Sequence, residues 1–174
     1  ILYYLFERSN PNTLGSVKNS QAMLEALFQS VTTRTAGFVT IPQANLTIPS
    51  VMLTVFLMFI GGSPTGTAGG IKTTTLAVIL AEVRATIKSE PEAICFKRQV
   101  PRQTTRKAIA ITLISVAASV LAVLLMYFIQ PGDMTDNVFE VYSALGTVGI
   151  SRDLTPHLTT AAKYLIIVCM YLGR

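Results

Sequence analysis

The sequence predicts an all-α polytopic membrane protein. Of its 174 residues, 51% are hydrophobic and 13% are charged, whereas about a quarter of the residues in a soluble domain are charged. Residues 108–129 form a run without a charge, long enough as a helix to cross a hydrocarbon core of about 30 Å. Residues 50–60 and 164–172 are also strongly apolar but shorter. We therefore expect one complete span and two that are broken or truncated.

Half of the basic residues lie in one loop, which predicts the orientation. Seven of the 14 lysines and arginines fall between Arg84 and Lys107, and apolar segments flank this stretch on both sides. Basic loops are retained on the cytoplasmic side of membranes, so we expect this basic loop to be cytoplasmic. Anionic lipid headgroups then account for the net charge of +5, and we expect no nucleic acid partner.

The remaining segments follow from length and turn signals. Residues 1–6 have the pattern of the last turns of a helix, and residues 171–174 stop inside an apolar pattern, so we expect a piece of a longer protein. Residues 7–18, with Asn-Pro-Asn and a glycine, are predicted as an external turn. Residues 20–30 and 136–144 are helical stretches too short to span, and each is predicted as a half-helix.

A Thr-x-Gly tripeptide follows each half-helix. Residues 33–38 are Thr-Arg-Thr-Ala-Gly-Phe and residues 145–150 are Leu-Gly-Thr-Val-Gly-Ile, with 112 residues between equivalent positions. We interpret this as an internal repeat of span, half-helix, Thr-x-Gly and span. A glycine beside a hydroxyl residue lets an extended backbone direct its carbonyl oxygens to one point, where they replace the water around a cation. Thr-Val-Gly alone also fits a strand that ends in a turn, and the repeat favours the cation filter.

A glycine segment at residues 61–75 interrupts what would otherwise be one helix from residue 48 to about residue 84. Five glycines and a proline within ten residues do not sustain a helix. Irregular backbone at membrane depth occurs only where it is buried in protein or lines water, so we expect a cavity beneath the Thr-x-Gly segments, faced by hydroxyls and Lys72. Two alternatives are a phosphate-binding loop, although Ile71 separates its glycine from its lysine, and an ordinary loop outside the membrane.

Together these motifs resemble the Trk/Ktr/HKT superfamily of potassium transporters, closest to the bacterial Ktr membrane (ion-translocating) subunit. The resemblance rests on residues 33–38, on Gly-Gly-Ser-Pro-Thr-Gly-Thr-Ala-Gly-Gly-Ile-Lys-Thr at 61–73, on residues 146–150 and on Gly173-Arg174. In that family, four helix, pore-helix, helix repeats resembling the potassium-channel pore surround one ion pathway.

The resemblance implies that the chain is the C-terminal half of such a subunit. Residues 1–106 would be the third pore repeat, and residues 107–174 the fourth, truncated in its last helix. The function implied is potassium uptake through a carbonyl-lined selectivity filter, gated by a Gly-rich intramembrane loop, with no enzyme activity. Transported potassium is the one ligand implied, without an organic cofactor.

The resemblance also implies the site residues. The filter that binds K⁺ would comprise Thr35, Ala36, Gly37, Phe38, Thr147, Val148, Gly149 and Ile150. The gating loop would comprise Gly61, Gly62, Ser63, Pro64, Thr65, Gly66, Thr67, Ala68, Gly69, Gly70, Lys72 and Thr73, with Arg174 of the last helix facing it. We expect Lys72 and Arg174 to form an electrostatic barrier at the loop. The alternative is that Arg174 only reaches to the cytoplasmic interface.

The partners implied are membrane lipid, the N-terminal half of the same polypeptide, a second copy in a homodimer and a cytosolic nucleotide-binding regulatory ring. The location implied is the bacterial inner membrane. The basic loop is either the docking surface for the ring or only a determinant of topology.

Two other functional classes stay open. One is a non-conducting membrane scaffold whose glycines serve close helix packing. The other, a membrane enzyme, lacks a visible cluster of catalytic side chains. Because Phe38-Val39 and Ile150-Ser151 follow the filter glycines, where potassium channels have an aromatic residue and a second glycine, we expect fewer stacked carbonyl rings. Preference for potassium over sodium is then inferred from the family and from Gly37 and Gly149.

Overall fold

The computed structural model describes residues 1–64, 66, 68–88, 94–95 and 98–174. In these residues the chain forms helices α1 (Leu2–Glu7), α2 (Asn19–Thr32), α3 (Ile48–Phe59), α4 (Thr73–Ile87), α5 (Arg102–Ile129), α6 (Met134–Leu145) and α7 (Thr160–Gly173). Short 3₁₀ turns occupy Leu14–Ser16, Gln43–Asn45 and Thr155–His157. The predicted all-helical fold class is confirmed. Thr65 and Thr67 of the predicted gating loop, and Lys97 of the basic loop, lie outside the described residues.

The basic loop contains a feature that was not predicted. Strands β1 (Ile94–Cys95) and β2 (Arg98–Gln99) pair antiparallel, with Ile94 opposite Gln99 and Cys95 opposite Arg98. Two residues per strand give no period-2 pattern for sequence analysis to detect.

Helix α5 is the one described helix that is long and apolar enough to cross a membrane. Only 17% of the most apolar part of α5 is buried against the rest of the described chain, whereas the core helix of a soluble domain is mostly buried. It begins six residues before the predicted span, because Arg102, Arg106 and Lys107 continue the helix as its basic first turns.

The glycine segment breaks the helix as predicted, between the end of α3 at Phe59 and the start of α4 at Thr73. An α-helix, and not a β-strand, leads into the glycines, so the phosphate-binding loop is excluded. The two ends of the segment pair with each other. Ile60 and Ile71 form a bridge, and the amide of Ile71 donates to the carbonyl of Phe59 at 3.0 Å.

The internal repeat is present in three dimensions. The 3₁₀ turns at Gln43–Asn45 and Thr155–His157 are 112 residues apart, as are the first residues of α3 and α7. Thr47 precedes α3 and Thr159 precedes α7. In both threonines the backbone amide donates a hydrogen bond of 2.8 Å to a side-chain oxygen from earlier in the chain. The acceptors are Oε1 of Glu7 at the end of α1 and Oε1 of Gln130 after α5.

Helix α6 holds the two repeats together, since it packs against α3 of the first copy and against α5 and α7 of the second. Phe139, Val148 and Ile150 from the second copy are buried in a core with side chains of α1, α2 and α3. A second core forms between α5, α6 and α7. The Thr-x-Gly segments therefore lie at the junction of the repeats.

Candidate functional site

The two Thr-x-Gly segments share one unusual backbone conformation. Thr35 and Thr147 have φ angles of 70° and 53°, and the glycines two residues later, Gly37 and Gly149, have φ angles of 76° and 83°. A positive φ in a β-branched residue is a genuine outlier that costs about 1–3 kcal/mol. The same outlier at the same place in both copies indicates a conformation that the fold imposes.

Hydrogen bonds to the half-helices orient the carbonyl groups of these segments. The amide of Ala36 donates to the carbonyl of Thr32 at 3.1 Å, and the amide of Val148 donates to the carbonyl of Ser143 at 2.9 Å. In a trans peptide the carbonyl points opposite to the amide of the next residue, and none of the described peptide bonds is cis. The carbonyls of Thr35 and Thr147 therefore point away from α2 and α6.

The glycine carbonyls are oriented by the side chains of α2 and α6. The amide of Phe38 donates to the hydroxyl of Thr32 at 3.1 Å, and the amide of Ile150 donates to the hydroxyl of Ser143 at 3.0 Å. By the same geometry, the carbonyls of Gly37 and Gly149 also point away from the half-helices. Each segment thus presents at least two carbonyls away from its half-helix, and carbonyls that converge on one point can replace the water around a cation.

The two segments lie side by side. A Cβ built on Gly37 would come within 2.9 Å of the carbonyl oxygen of Val148, so only glycine fits there. Val148 and Ile150 are buried between the repeats, whereas Ala36 and Phe38 of the other copy are exposed. The structure brings the predicted filter residues of both copies together, with one face of the first copy open.

The glycine segment contacts the second Thr-x-Gly copy directly. The amide of Gly69 donates to the hydroxyl of Thr147 at 2.8 Å, and the amide of Gly70 donates to the carbonyl of Gly173 in α7 at 3.3 Å. A Cβ on Gly69 would lie 2.7 Å from both the Thr147 side chain and the Gly173 carbonyl. The segment therefore lies wedged between the second Thr-x-Gly copy and the end of α7.

A cavity of about 520 Å³ separates the glycine segment from the first Thr-x-Gly copy. Its lining residues are Arg34, Thr35, Gly62, Ser63, Gly66, Ala68 and Thr73. It supplies the hydroxyl groups that we expected, but Lys72 is not among the lining residues. The ammonium of Lys72 lies 3.5 Å from the carbonyl of Gly66 instead.

Arg174 is placed by α7 beside both predicted parts of the site. It lines a cavity of about 420 Å³ with Thr147 and Gly149, and a second cavity of about 280 Å³ with Gly70. This position is compatible with a cation that faces the loop, as the resemblance implies.

Sequence reasoning missed the basic side chains that connect the site. The guanidinium of Arg34 donates to the carbonyls of Ile60 and Gly61, at 2.7 and 3.1 Å, where the glycine segment begins. Positive charge at the end of α3 also complements the negative end of its dipole. A charged residue beside Thr-x-Gly in an apolar chain was the available signal.

Arg152, two residues after Ile150, connects the loops that follow the Thr-x-Gly segments of the two repeats. Its guanidinium pairs with Asp136 at 2.7 Å and donates to the carbonyls of Gln43 and Ala44 at 2.8 and 3.2 Å. It also lies over the ring of Phe139. Gln43 and Ala44 belong to the first repeat, whereas Asp136 and Phe139 belong to the second, as Arg152 does.

Comparison with known proteins agrees with the resemblance. The family model described as TrkH, cation transport protein, matches residues 4–174. Ktr system potassium uptake protein B of Bacillus subtilis is 38% identical over 98% of this chain and 38% of its own length. The potassium/sodium uptake protein NtpJ of Enterococcus hirae is 36% identical over 100% of this chain and 39% of its own length.

The fold agrees as well. The crystal structure of the potassium transporter TrkH from Vibrio parahaemolyticus superposes with a TM-score of 0.75, at 22% identity, over 99% of this chain and 38% of that one. The chain therefore spans less than two fifths of the length of these relatives. The predicted Trk/Ktr family is confirmed, and the chain belongs to the TrkH family of cation transport proteins.

Proposed function

We propose that this chain carries two of the cation-coordinating segments of a bacterial membrane protein that takes up potassium. The observation that carries the proposal is the shared conformation of Thr35 to Gly37 and Thr147 to Gly149, with carbonyls turned away from both half-helices. The names of the relatives, which are potassium or potassium/sodium uptake proteins, support the choice of ion.

The chemistry of these segments suits an alkali cation. Carbonyl and hydroxyl oxygens are hard, uncharged ligands, and potassium transport needs no proton transfer or electron transfer. Potassium would move inward, down its electrochemical gradient. Two segments do not close a ring around an ion, so the remainder of the same polypeptide would supply the others. By family resemblance, the complete subunit would form a homodimer in the cell membrane, under control of a cytosolic nucleotide-binding ring.

The glycine segment would act as the gate. Its hydrogen bond from Gly69 to Thr147 supports this role, because a loop seated against the filter obstructs the route of an ion that leaves it. Lys72 and Arg174 would add a positive barrier on the same side.

A non-conducting scaffold is the second candidate, and the close contacts of Gly69 are what packing glycines show. Gly149 distinguishes the two functions. A Cβ built on Gly149 would meet no described atom within 4 Å, so packing does not require glycine there, whereas its φ of 83° does. The backbone conformation, and not close packing, is therefore what requires glycine at position 149.

Rubidium uptake by the full-length protein, in cells that lack other potassium uptake, tests the proposal. We expect Gly149→Ser to lower the preference for potassium over sodium about tenfold, equivalent to about 1.4 kcal/mol, with the protein still in the membrane. Gly132→Ser is the matched control, since Gly132 also has a positive φ, 152°, and open space around it, but lies in the turn between α5 and α6. Equal selectivity in wild type and Gly149→Ser would favour the scaffold.

A further inference from the structure

The residue after each filter glycine is held by a hydroxyl group of the preceding half-helix. Oγ1 of Thr32 accepts from the amide of Phe38 at 3.1 Å and donates to the carbonyl of the same residue at 2.5 Å. Oγ of Ser143 accepts from the amide of Ile150 at 3.0 Å and donates to its carbonyl at 2.5 Å. We name these two arrangements the hydroxyl clasps. Both hydroxyl residues are buried, with exposed fractions of 1% and 4%.

The hydroxyl clasps reverse the direction of the backbone carbonyls. The carbonyls of Gly37 and Gly149 point away from the half-helices, as the amides that follow them require. The carbonyls of Phe38 and Ile150 point back toward the half-helices, because they accept from the hydroxyls of Thr32 and Ser143. The run of carbonyls that share one direction therefore ends at the glycine in both copies.

On the basis of the proposed function, we propose that Thr32 and Ser143 are specificity-determining residues that position the end of the ion path. Each withdraws the carbonyl of the residue after the glycine, so that the coordinating backbone consists of residues 35–37 and 147–149. This removes Phe38 and Ile150 from the predicted set of ion ligands. In potassium channels the residue after this glycine contributes its carbonyl to the filter, and the hydroxyl clasps exclude that additional ring of ligands here.

The clasps depend on hydroxyl chemistry and not on volume. Valine has the shape of threonine but neither donates nor accepts a hydrogen bond, so it would leave the amide and the carbonyl of Phe38 unpaired. The freed carbonyl would then turn toward the ion path or toward water. Either change alters the number of ligands around the cation, and therefore the balance between potassium and sodium.

Thr33, the C-cap residue of α2, provides a matched control next to Thr32 in the chain. It is as buried as Thr32, but its hydroxyl donates to the carbonyl of Ser30 in α2 at 2.9 Å. Thr33→Val thus removes a buried hydroxyl of the same type without touching the residue after the glycine. Thr32→Ser keeps the hydroxyl of the clasp while removing a methyl group.

The experiment measures, in the full-length protein, the ratio of the sodium and potassium concentrations that halve rubidium uptake, with the amount of protein in the membrane determined for each variant. We expect Thr32→Val to change this ratio by roughly fivefold or more, as for loss of one hydrogen bond. Thr32→Ser and Thr33→Val should stay within about twofold of wild type. Ser143→Ala carries the same expectation in the second repeat and decides the question if Thr32→Val does not reach the membrane.

Two results overturn the inference. One is a ratio for Thr32→Val and Ser143→Ala that equals that of wild type, and the other is an equal change in Thr32→Val and Thr33→Val, which would indicate general packing. Gly149→Ser, measured alongside, separates this inference from the proposed function. If Gly149→Ser loses selectivity and Thr32→Val does not, only the clasp fails, whereas unchanged selectivity in Gly149→Ser removes the filter itself and the clasp with it.

Discussion

Thr35 and Thr147 have strained backbone conformations, although glycine at either position would be free of this strain. Among the described residues, the non-glycine residues with positive φ are these two threonines and Asp153, and aspartate is tolerated in this region far better than a β-branched residue. Strain of this kind persists where the surrounding structure imposes it, and it concentrates at functional sites. We therefore expect the threonine side chain to constrain the backbone of the segment more than glycine would.

Replacing Thr35 by glycine should separate stability from selectivity. Relief of the strain in the left-handed conformation should stabilise the folded state by about 1–2 kcal/mol. The greater backbone freedom of glycine in the unfolded chain should destabilise the folded state by about 0.5–1 kcal/mol. The melting temperature of the purified full-length protein should therefore equal or exceed that of wild type, while its potassium preference falls because the backbone is less constrained. Thr33→Gly is the control, since Thr33 has φ of −64°, and its melting temperature should decrease. A clear loss of stability in Thr35→Gly would contradict the assignment of strain.

At the scale of elements, the contact between the glycine segment and the second Thr-x-Gly copy is the feature on which a gate would depend. It joins residues that are 78 positions apart, through one hydrogen bond from Gly69 to Thr147. A single such bond is worth about 1 kcal/mol, a small barrier that a conformational change can overcome. The close contacts of Gly69 with Thr147 and Gly173 therefore hold the segment in place as much as the hydrogen bond does.

Gly69→Ala should therefore displace the loop and increase ion flux. The new Cβ would lie 2.7 Å from the Thr147 side chain and from the Gly173 carbonyl, and neither the strained Thr147 nor the end of α7 can move without cost. We expect the maximal rate of rubidium uptake to rise severalfold. Gly66→Ala in the same loop is the matched control, because its Cβ would have no described neighbour closer than 3.6 Å. Flux at or below the wild-type rate in Gly69→Ala would show that the loop does not obstruct the pathway.

The helices were the part of this fold that the sequence could predict. The half-helices were expected at residues 20–30 and 136–144 and extend over Asn19–Thr32 and Met134–Leu145, since apolar spacing and turn residues are local signals. The hydroxyl clasps could not be predicted in this way. A threonine or serine in a helix has the same local pattern whether its hydroxyl bonds its own helix, as Thr33 does, or the residue after a filter glycine, as Thr32 does.

The contacts of the site escaped prediction for a related reason. Arg34 meets the carbonyls of Ile60 and Gly61 only because α3 and the glycine segment fold back onto the end of α2. The repeat predicted which segments are equivalent, but equivalence does not say where they touch. The contact of Gly69 with Thr147 has no counterpart at Thr35 among the hydrogen bonds of the described residues, so the two copies differ where the glycine segment is added to one of them.

At the scale of the whole molecule, the two repeats are joined through α6 and through the basic side chain of Arg152. Arg152 has an exposed side-chain fraction of 11%, and each of its three guanidinium nitrogens has an oxygen partner in Asp136, Gln43 or Ala44. Since Arg152 lies two residues beyond Ile150, this connection fixes the C-terminal end of the second Thr-x-Gly copy against the first repeat. Relative movement of the repeats would displace the two Thr-x-Gly segments from each other, and with them the proposed filter.

Arg152→Gln should accordingly loosen the junction between the repeats. Hydrogen bonds to charged groups contribute about 1.5–3 kcal/mol when buried, and the partial exposure of Asp136, 29%, reduces the share of the ion pair. We expect the purified full-length protein to melt a few degrees lower, and its potassium preference to fall even below the melting transition. Lys163→Gln on the exposed surface of α7 removes the same charge and should change neither property. If Arg152→Gln has the melting temperature of Lys163→Gln but loses selectivity, Arg152 acts on the proposed filter alone. If Arg152→Gln melts at a lower temperature with its selectivity intact, α6 and the buried core hold the repeats in register without Arg152.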